Sequence, residues 1–184
     1  MKNKKLIKTL YVSLFAAFVF VATMVIKIPT LTGGYVNIGD GIVLVCGFIL
    51  GPVGGALAAG IGSMLADLIG YPIYAGATFV IKALMAFSAW GIVKLLRFVF
   101  RKHVWITYFI AGVVAEAVMI LGYFVFEATV MSYGLGAVVS VPANMVQGGV
   151  GIAVAIVLMA FFERTNLIEK MMKREDKHHV DRGN

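Results

Sequence analysis

Apolar runs of about 20 residues recur along nearly the whole chain, and they limit its fold more than any other feature. The 184 residues are 61% hydrophobic and 14% charged, which is far more apolar than a soluble domain. Helices satisfy their own backbone hydrogen bonds in lipid, so the sequence predicts an all-α integral membrane protein. The six predicted spans are residues 7–28, 39–52, 54–71, 78–97, 105–127 and 141–162.

The second and third spans are separated only by the short motif Gly51-Pro52-Val53-Gly54-Gly55. A five-span alternative would fuse this pair, and charge argues against it. With six spans, every lysine and arginine except Lys27 and Lys82 falls on one side, as the positive-inside rule requires for the cytoplasm. We therefore expect a membrane domain over residues 1–165, both termini in the cytoplasm, and a polar cytoplasmic tail over 166–184.

The start of the chain looks like a signal peptide, but its apolar run is too long and no Ala-x-Ala site follows. It is interpreted as a retained first span. The net charge of +7 does not indicate nucleic-acid binding, because the basic residues cluster at the ends of the spans. Cys46 is the single cysteine, and the three histidines offer no set of metal ligands. No cofactor and no metal are expected.

Four ionisable residues lie within or at the ends of the apolar stretches: Asp67, Lys82, Glu116 and Glu127. A charge at membrane depth is costly unless it is paired or hydrated, so each is a candidate functional residue. On the six-span topology Asp67, Lys82 and Glu127 fall in the outer half of the membrane, and Glu116 falls near the middle.

Helical spacing brings further groups to the same region. Glu116 shares a stripe with Met119, Tyr123 and Glu127, while Thr78 lies one turn from Lys82. Aromatic walls with a few fixed polar groups are typical of a small-molecule site. The predicted substrate contacts are Asn37, Tyr74, Thr78, Lys82, Glu116, Met119, Tyr123, Glu127, Asn144 and Gln147.

Structural explanations for these charges stay open. Lys82 would be satisfied by an ion pair with Glu116 or Asp67, and Asp67 would serve equally well as a cap for loop amides. Asp40 fits an N-cap role at the start of the second span, and Asn37 fits either a cap or a ligand contact. The sequence does not decide whether Asp40 and Asp67 touch a ligand.

Small residues at a spacing of four run along the third span, as Gly54, Ala58, Gly62, Ala66 and Gly70 and as Gly55, Ala59, Ser63 and Asp67. Such ladders let helix backbones approach closely, which favours tight internal packing over a partner surface. Ser13 and Ala17 form an isolated small-xxx-small pair in the first span.

Over about residues 5–165, the chain resembles the substrate-binding S components of energy-coupling factor (ECF) vitamin transporters. The resemblance rests on the six-span layout and on five stretches: 34–40, 50–56, Ala66-Asp67-Leu68, 78–82 and 116–123. The likeness is strongest to the branch for riboflavin, hydroxymethylpyrimidine or pyridoxine.

This resemblance implies a non-enzymatic protein of the prokaryotic plasma membrane with an outward site built by the first loop and spans four to six. It also implies three partner subunits, namely a membrane coupling subunit, which would meet Ser13 and Ala17, and two cytoplasmic ATPases. The absence of a Walker motif agrees with this. Serine in place of the family's first alanine makes the match at Ser13 imperfect.

The polar groups favour a neutral or weakly basic heterocycle such as hydroxymethylpyrimidine or pyridoxine, with riboflavin as a further candidate. Two other functions stay open. One is a stand-alone ion-coupled carrier, in which a carboxylate would carry a proton. The other is an intramembrane enzyme using Asp67, Glu116 and Glu127, which no HExxH or Gly-x-Ser-x-Gly motif accompanies.

Overall fold

The computed structural model describes residues 2–29, 35–100 and 103–165. Their elements are mainly long helices: α1 Lys2–Val25, α2 Gly39–Gly70, α3 Ala75–Leu96, α4 Val104–Thr129 and α5 Val141–Arg164. The predicted polar tail, 166–184, and part of the first outer loop, 30–34, lie outside the described residues. Five helical segments are long and apolar enough to cross a membrane, which makes this a multi-pass membrane protein.

Helix α2 is interrupted at Gly51, which has φ +77° and ψ −176° and is followed by Pro52. Glycine adopts this backbone conformation readily, whereas a side chain at such a φ is strained. A methyl group placed on Gly55 would lie 2.7 Å from the carbonyl oxygen of Cys46, so the two halves of α2 pack against each other. In a straight helix these residues would be about 13 Å apart. The chain therefore reverses direction at Gly51.

Glycines mark where the helices approach one another. Gly54 of the second half of α2 faces Val12 and Lys8 of α1, while Gly62 faces Val19, so these two helices run in the same direction. The small-residue ladder thus packs internally, as the sequence predicts. The N-terminal part of α1 lies at the end of the bundle where α2 reverses.

The other helices alternate in direction. Gly122 of α4 faces Ile81 of α3, and Gly112 of α4 faces Ile152 of α5. The starts of α2, α3 and α5 therefore meet the end of α4 at one end of the bundle, which we call the cavity end. Below it lies an apolar core that includes Leu44, Met85, Met119 and Met159.

The structure also contains elements that the sequence pattern did not predict. A two-stranded antiparallel sheet pairs Lys27–Pro29 with Tyr35–Asn37, in the register Lys27 to Asn37. Short 3-10 helices, Pro72–Tyr74 and Gly134–Ser140, precede α3 and α5. These segments all lie at the cavity end, where they bring Asn37, Tyr74 and Ser140 next to the helix ends.

Candidate functional site

A cavity opens at the cavity end of the bundle, with an empty volume of about 490 Å³ including its mouth. All five long helices, the strand Tyr35–Asn37 and both 3-10 helices contribute residues to it. The lining residues are Thr23, Asn37, Ser63, Asp67, Tyr71, Tyr74, Thr78, Lys82, Tyr123, Glu127, Ser140, Asn144 and Gln147.

All the predicted substrate contacts except two lie around this cavity. Glu116 and Met119 do not line it; both are buried behind it, and Met119 is part of the apolar core. Whether the lining residues bind a substrate stays a prediction. What the structure adds is that they come together around one space, although Asn37 and Gln147, for example, are 110 residues apart in the chain.

The floor of the cavity is held by Asp40, which is completely buried at the start of α2. Its carboxylate forms an ion pair with Lys82 of α3 through one oxygen. The other oxygen accepts a hydrogen bond of 2.6 Å from the Nε2 of Gln147 on α5. The ion partner of Lys82 is therefore Asp40, whereas the sequence suggested Glu116 or Asp67. Three helices are tied together by this carboxylate.

Gln147 extends this network to Asn37, at the end of the strand Tyr35–Asn37. Its Oε1 accepts hydrogen bonds from the backbone N–H of Asn37 at 2.8 Å and from the Asn37 Nδ2 at 3.3 Å. The Asn37 Oδ1 in turn accepts from the N–H of Gly39 at 2.8 Å, the first residue of α2, although the N-cap residue itself is Ile38. Asn37 thus satisfies a free amide of the first turn and also lines the cavity.

Glu116 of α4 lies behind the floor of the cavity, against the side of α5 that carries Gly148 and Gly151. A methyl group on Gly151 would lie 2.7 Å from the Glu116 Oε1 and 2.9 Å from the Asp40 Cβ, so the two acids lie side by side. Within the described part of the chain, no donor reaches either Glu116 oxygen. A buried carboxylate beside a second carboxylate is costly unless a cation or a proton is nearby. Lys82, which is paired with Asp40, is the nearby cation.

One wall of the cavity is aromatic. Tyr74 donates a hydrogen bond of 3.1 Å to Glu127, and Thr78 and Tyr123 share one of 3.0 Å through their hydroxyls. The Tyr74 and Tyr123 rings are 6.3 Å apart, and the Lys82 ammonium is 5.4 Å from the centre of the Tyr123 ring. This arrangement offers ring faces, one cation and fixed hydrogen-bond groups, which suits a planar heterocycle.

Comparison with known families decides the identity. Residues 3–164 match the family described as ECF-type riboflavin transporter, S component. The chain belongs to this family. S components are the substrate-binding parts of transporters and are not enzymes, which removes the intramembrane-enzyme hypothesis.

Two further proteins are similar to this S component. A solved structure described as the S component of a bacterial ECF transporter aligns with a TM-score of 0.64 at 24% identity, over 92% of this chain and 99% of that one. At this identity the likeness shows a shared fold. An uncharacterized protein from Pyrococcus woesei is 46% identical over 65 residues, which are 35% of this chain and 44% of that protein. The match thus spans less than half the length of this curated relative.

Sequence reasoning missed some residues around the cavity of this S component. Thr23, Ser63 and Ser140 line it, but hydroxyl residues in membrane helices are too common to stand out. Asp67, left open by the sequence, lines it as well, while Asp40 lies behind the floor. The signal for Asp40 was a carboxylate at the start of an apolar span, which the sequence explained as an N-cap. That explanation is wrong, because the N-cap residue is Ile38 and the Asp40 carboxylate is bound by Lys82 and Gln147.

The predicted coupling-subunit contacts lie elsewhere on the S component. Ser13 and Ala17 are exposed on α1, on the same face as Leu10, Leu14 and Phe18. An exposed apolar helix face meets lipid or a membrane partner. No three His, Cys, Asp or Glu side chains are grouped as a metal site within residues 2–29, 35–100 and 103–165.

Proposed function

We propose that this S component captures riboflavin at the outer side of a prokaryotic plasma membrane and delivers it inward as part of an ECF importer. The observation that carries the proposal is the cavity, because it combines ring faces, a lysine and amides at one end of the bundle. Such a site matches a planar, hydrogen-bonding heterocycle that carries hydroxyl groups.

The family description names riboflavin, which reverses the preference for hydroxymethylpyrimidine or pyridoxine that the residue types alone favour. The two smaller ligands stay as competitors in the experiment below.

The six-span topology with cytoplasmic termini is part of the proposal. The reversal at Gly51 supports it, because each half of α2 then becomes a separate short span. The start of α1 lies at the end of the bundle opposite the cavity, and its lysines would face the cytoplasm under the positive-inside rule. The cavity would then open outward.

Energy for transport would come from partner subunits. We propose that the exposed α1 face around Ser13 and Ala17 meets the membrane coupling subunit, and that two cytoplasmic ATPases drive that subunit. Substrate would move inward by toppling of the S component in the membrane. Serine at position 13 still permits close helix approach, because its side chain is small.

The buried acids Asp40 and Glu116 favour one alternative, a stand-alone carrier that couples uptake to protons. Uptake of labelled riboflavin into cells that lack all coupling and ATPase subunits separates the two. The proposal expects no uptake without those subunits and uptake when they are restored. Uptake by the S component alone would favour the proton-coupled carrier.

The binding experiment uses purified protein in detergent and the fluorescence of the flavin itself. Trp90 and Trp105 do not line the cavity, so tryptophan emission is a poor reporter there. We expect saturable quenching with one riboflavin per protein, and riboflavin as the co-purifying ligand in mass spectrometry. Binding of hydroxymethylpyrimidine or pyridoxine without riboflavin would contradict the flavin assignment. A folded protein that binds none of the three would contradict vitamin capture by this cavity.

A further inference from the structure

The cavity has two walls of different chemistry. One wall carries the Tyr74 ring from the 3-10 helix Pro72–Tyr74, the Lys82 ammonium from α3 and the Tyr123 ring from α4. The helical residues that α1 and the second half of α2 contribute to the lining are Thr23, Ser63 and Asp67, which have hydroxyl and carboxylate groups; the Tyr71 ring follows them directly after α2. This second group, Thr23, Ser63 and Asp67, is called the hydroxyl wall below.

Helix packing holds the hydroxyl wall together. Ser63 and Asp67 are one turn apart on α2 and therefore share a face. Helix α1 runs parallel to them, with Val19 beside Gly62, and Lys27 of the following strand lies beside Gly70. Thr23 lies between these two contacts and so at the depth of Ser63 and Asp67. All three side chains line the cavity, and the Thr23 hydroxyl also lies beside Gly39 at the start of α2.

Ser63 is the residue of the hydroxyl wall that indicates a ligand. Its side chain is 2% exposed, and its hydroxyl has no hydrogen-bond partner among the described residues. A serine inside a helix commonly bonds the carbonyl four residues earlier, and Ser63 does not. By contrast, Thr78 and Ser140, which also line the cavity, have hydrogen-bond partners within the protein. A buried hydroxyl left without a partner is costly, so one facing a cavity indicates a polar group from outside the chain.

We infer that Ser63 hydrogen-bonds the hydroxylated side chain of the bound flavin, with Thr23 and Asp67 beside it. This inference rests on the proposed function. The ring system lies against the aromatic wall, where it finds stacking surfaces. The polyol chain lies against the hydroxyl wall, since a serine hydroxyl both donates and accepts and a carboxylate accepts from alcohol groups. The hydroxyl wall thus selects flavins by their side chain.

The experiment compares riboflavin with lumiflavin, which has the same ring system and a methyl group in place of the polyol chain. Binding of both is titrated by flavin fluorescence with the full chain in detergent. For Ser63→Ala we expect riboflavin to bind about tenfold more weakly, the effect of losing one hydrogen bond. Lumiflavin binding should stay within about twofold of the wild type, since lumiflavin cannot reach Ser63.

Thr107→Val is the matched control. The Thr107 hydroxyl is also buried without a partner among the described residues, but it belongs to α4 and does not line the cavity. Its removal should leave the binding of both flavins unchanged. Equal weakening of riboflavin and lumiflavin by Ser63→Ala, or no weakening of either, would overturn the inference. Wild-type protein that binds neither flavin would instead overturn the proposed function, so the two failures are distinguishable.

Discussion

At the scale of single residues, Asp40 determines how the polar groups of the cavity are arranged. It neutralises Lys82 and orients Gln147, whose other end holds Asn37. Removing one partner of a buried ion pair typically destabilises a protein by about 3–5 kcal/mol, because the other charge is left uncompensated. An effect of Lys82 on ligand binding must therefore be separated from its effect on stability.

The pair can be tested with Lys82→Met, Asp40→Asn and the double variant. We expect each single variant to lower the melting temperature in detergent, and the double variant to recover most of the loss because no uncompensated charge is left. Riboflavin binding should not recover in the double variant, because this variant still lacks the Lys82 cation beside the Tyr123 ring. Lys94→Met, which removes an exposed lysine of the same helix, should change neither property.

A double variant that binds riboflavin like the wild type would show that Lys82 serves stability alone. It would then be removed from the predicted substrate contacts. A double variant less stable than both single variants would contradict the ion pair itself.

At the scale of elements, glycine faces decide how closely the helices approach. Gly148 and Gly151 of α5 lie against the Glu116 side chain, and Gly151 lies against Asp40 as well. The same helix carries Gly149, whose surroundings are open. Glycine is unfavourable inside a helix, so its presence at 148 and 151 is explained by the space that the two acids need.

Gly151→Ala and Gly149→Ala form a matched pair on this helix. The methyl group at 151 would come within 3 Å of both acids, and such overpacking typically costs about 1–3 kcal/mol. We expect Gly151→Ala to lower the melting temperature and weaken riboflavin binding at least about tenfold by displacing Asp40. The methyl group of Gly149→Ala would contact no neighbour, so this substitution should stabilise the helix by up to about 1 kcal/mol through its higher helix propensity. Unchanged binding in Gly151→Ala would contradict the close contact between α5 and the two acids.

At the scale of the whole molecule, the direction of each helix determines which side of the membrane the cavity faces. Leu135, between α4 and α5, is 86% exposed at the cavity end, whereas Val99 is 70% exposed in the turn that follows α3. Cys46 is completely buried, so it should react little with a thiol reagent and leave a low background.

Leu135→Cys and Val99→Cys therefore report the orientation in intact cells. With a membrane-impermeant maleimide we expect Leu135→Cys to be labelled at once, because the cavity end faces outward in the proposed topology. Val99→Cys should be labelled only after the cells are permeabilised. The opposite pattern would reverse the orientation, and labelling of both in intact cells would contradict the six-span topology.

Much of the site was predictable because helix phase and depth follow from spacing. Residues of three helices line one cavity, as their predicted depth and helix face indicated: Lys82 of α3, Tyr123 and Glu127 of α4, and Asn144 and Gln147 of α5. Glu116 shares a predicted helix face with Tyr123 and Glu127, yet it lies behind the floor of the cavity and faces α5. Spacing gives the face of a helix on which a residue lies, but not which neighbour covers that face.

The sequence by itself determined the class of protein, the apolar helices and the family, since long apolar runs in lipid permit few other structures and the motifs are local. Only the tertiary structure decided which side chains contact one another. Lys82 pairs with Asp40 because α2 reverses at Gly51 and places its start beside α3 and α5, and Ser63 reaches the cavity because α1 and the second half of α2 pack in parallel. Such contacts depend on helix neighbours far apart in the chain, which no local pattern encodes.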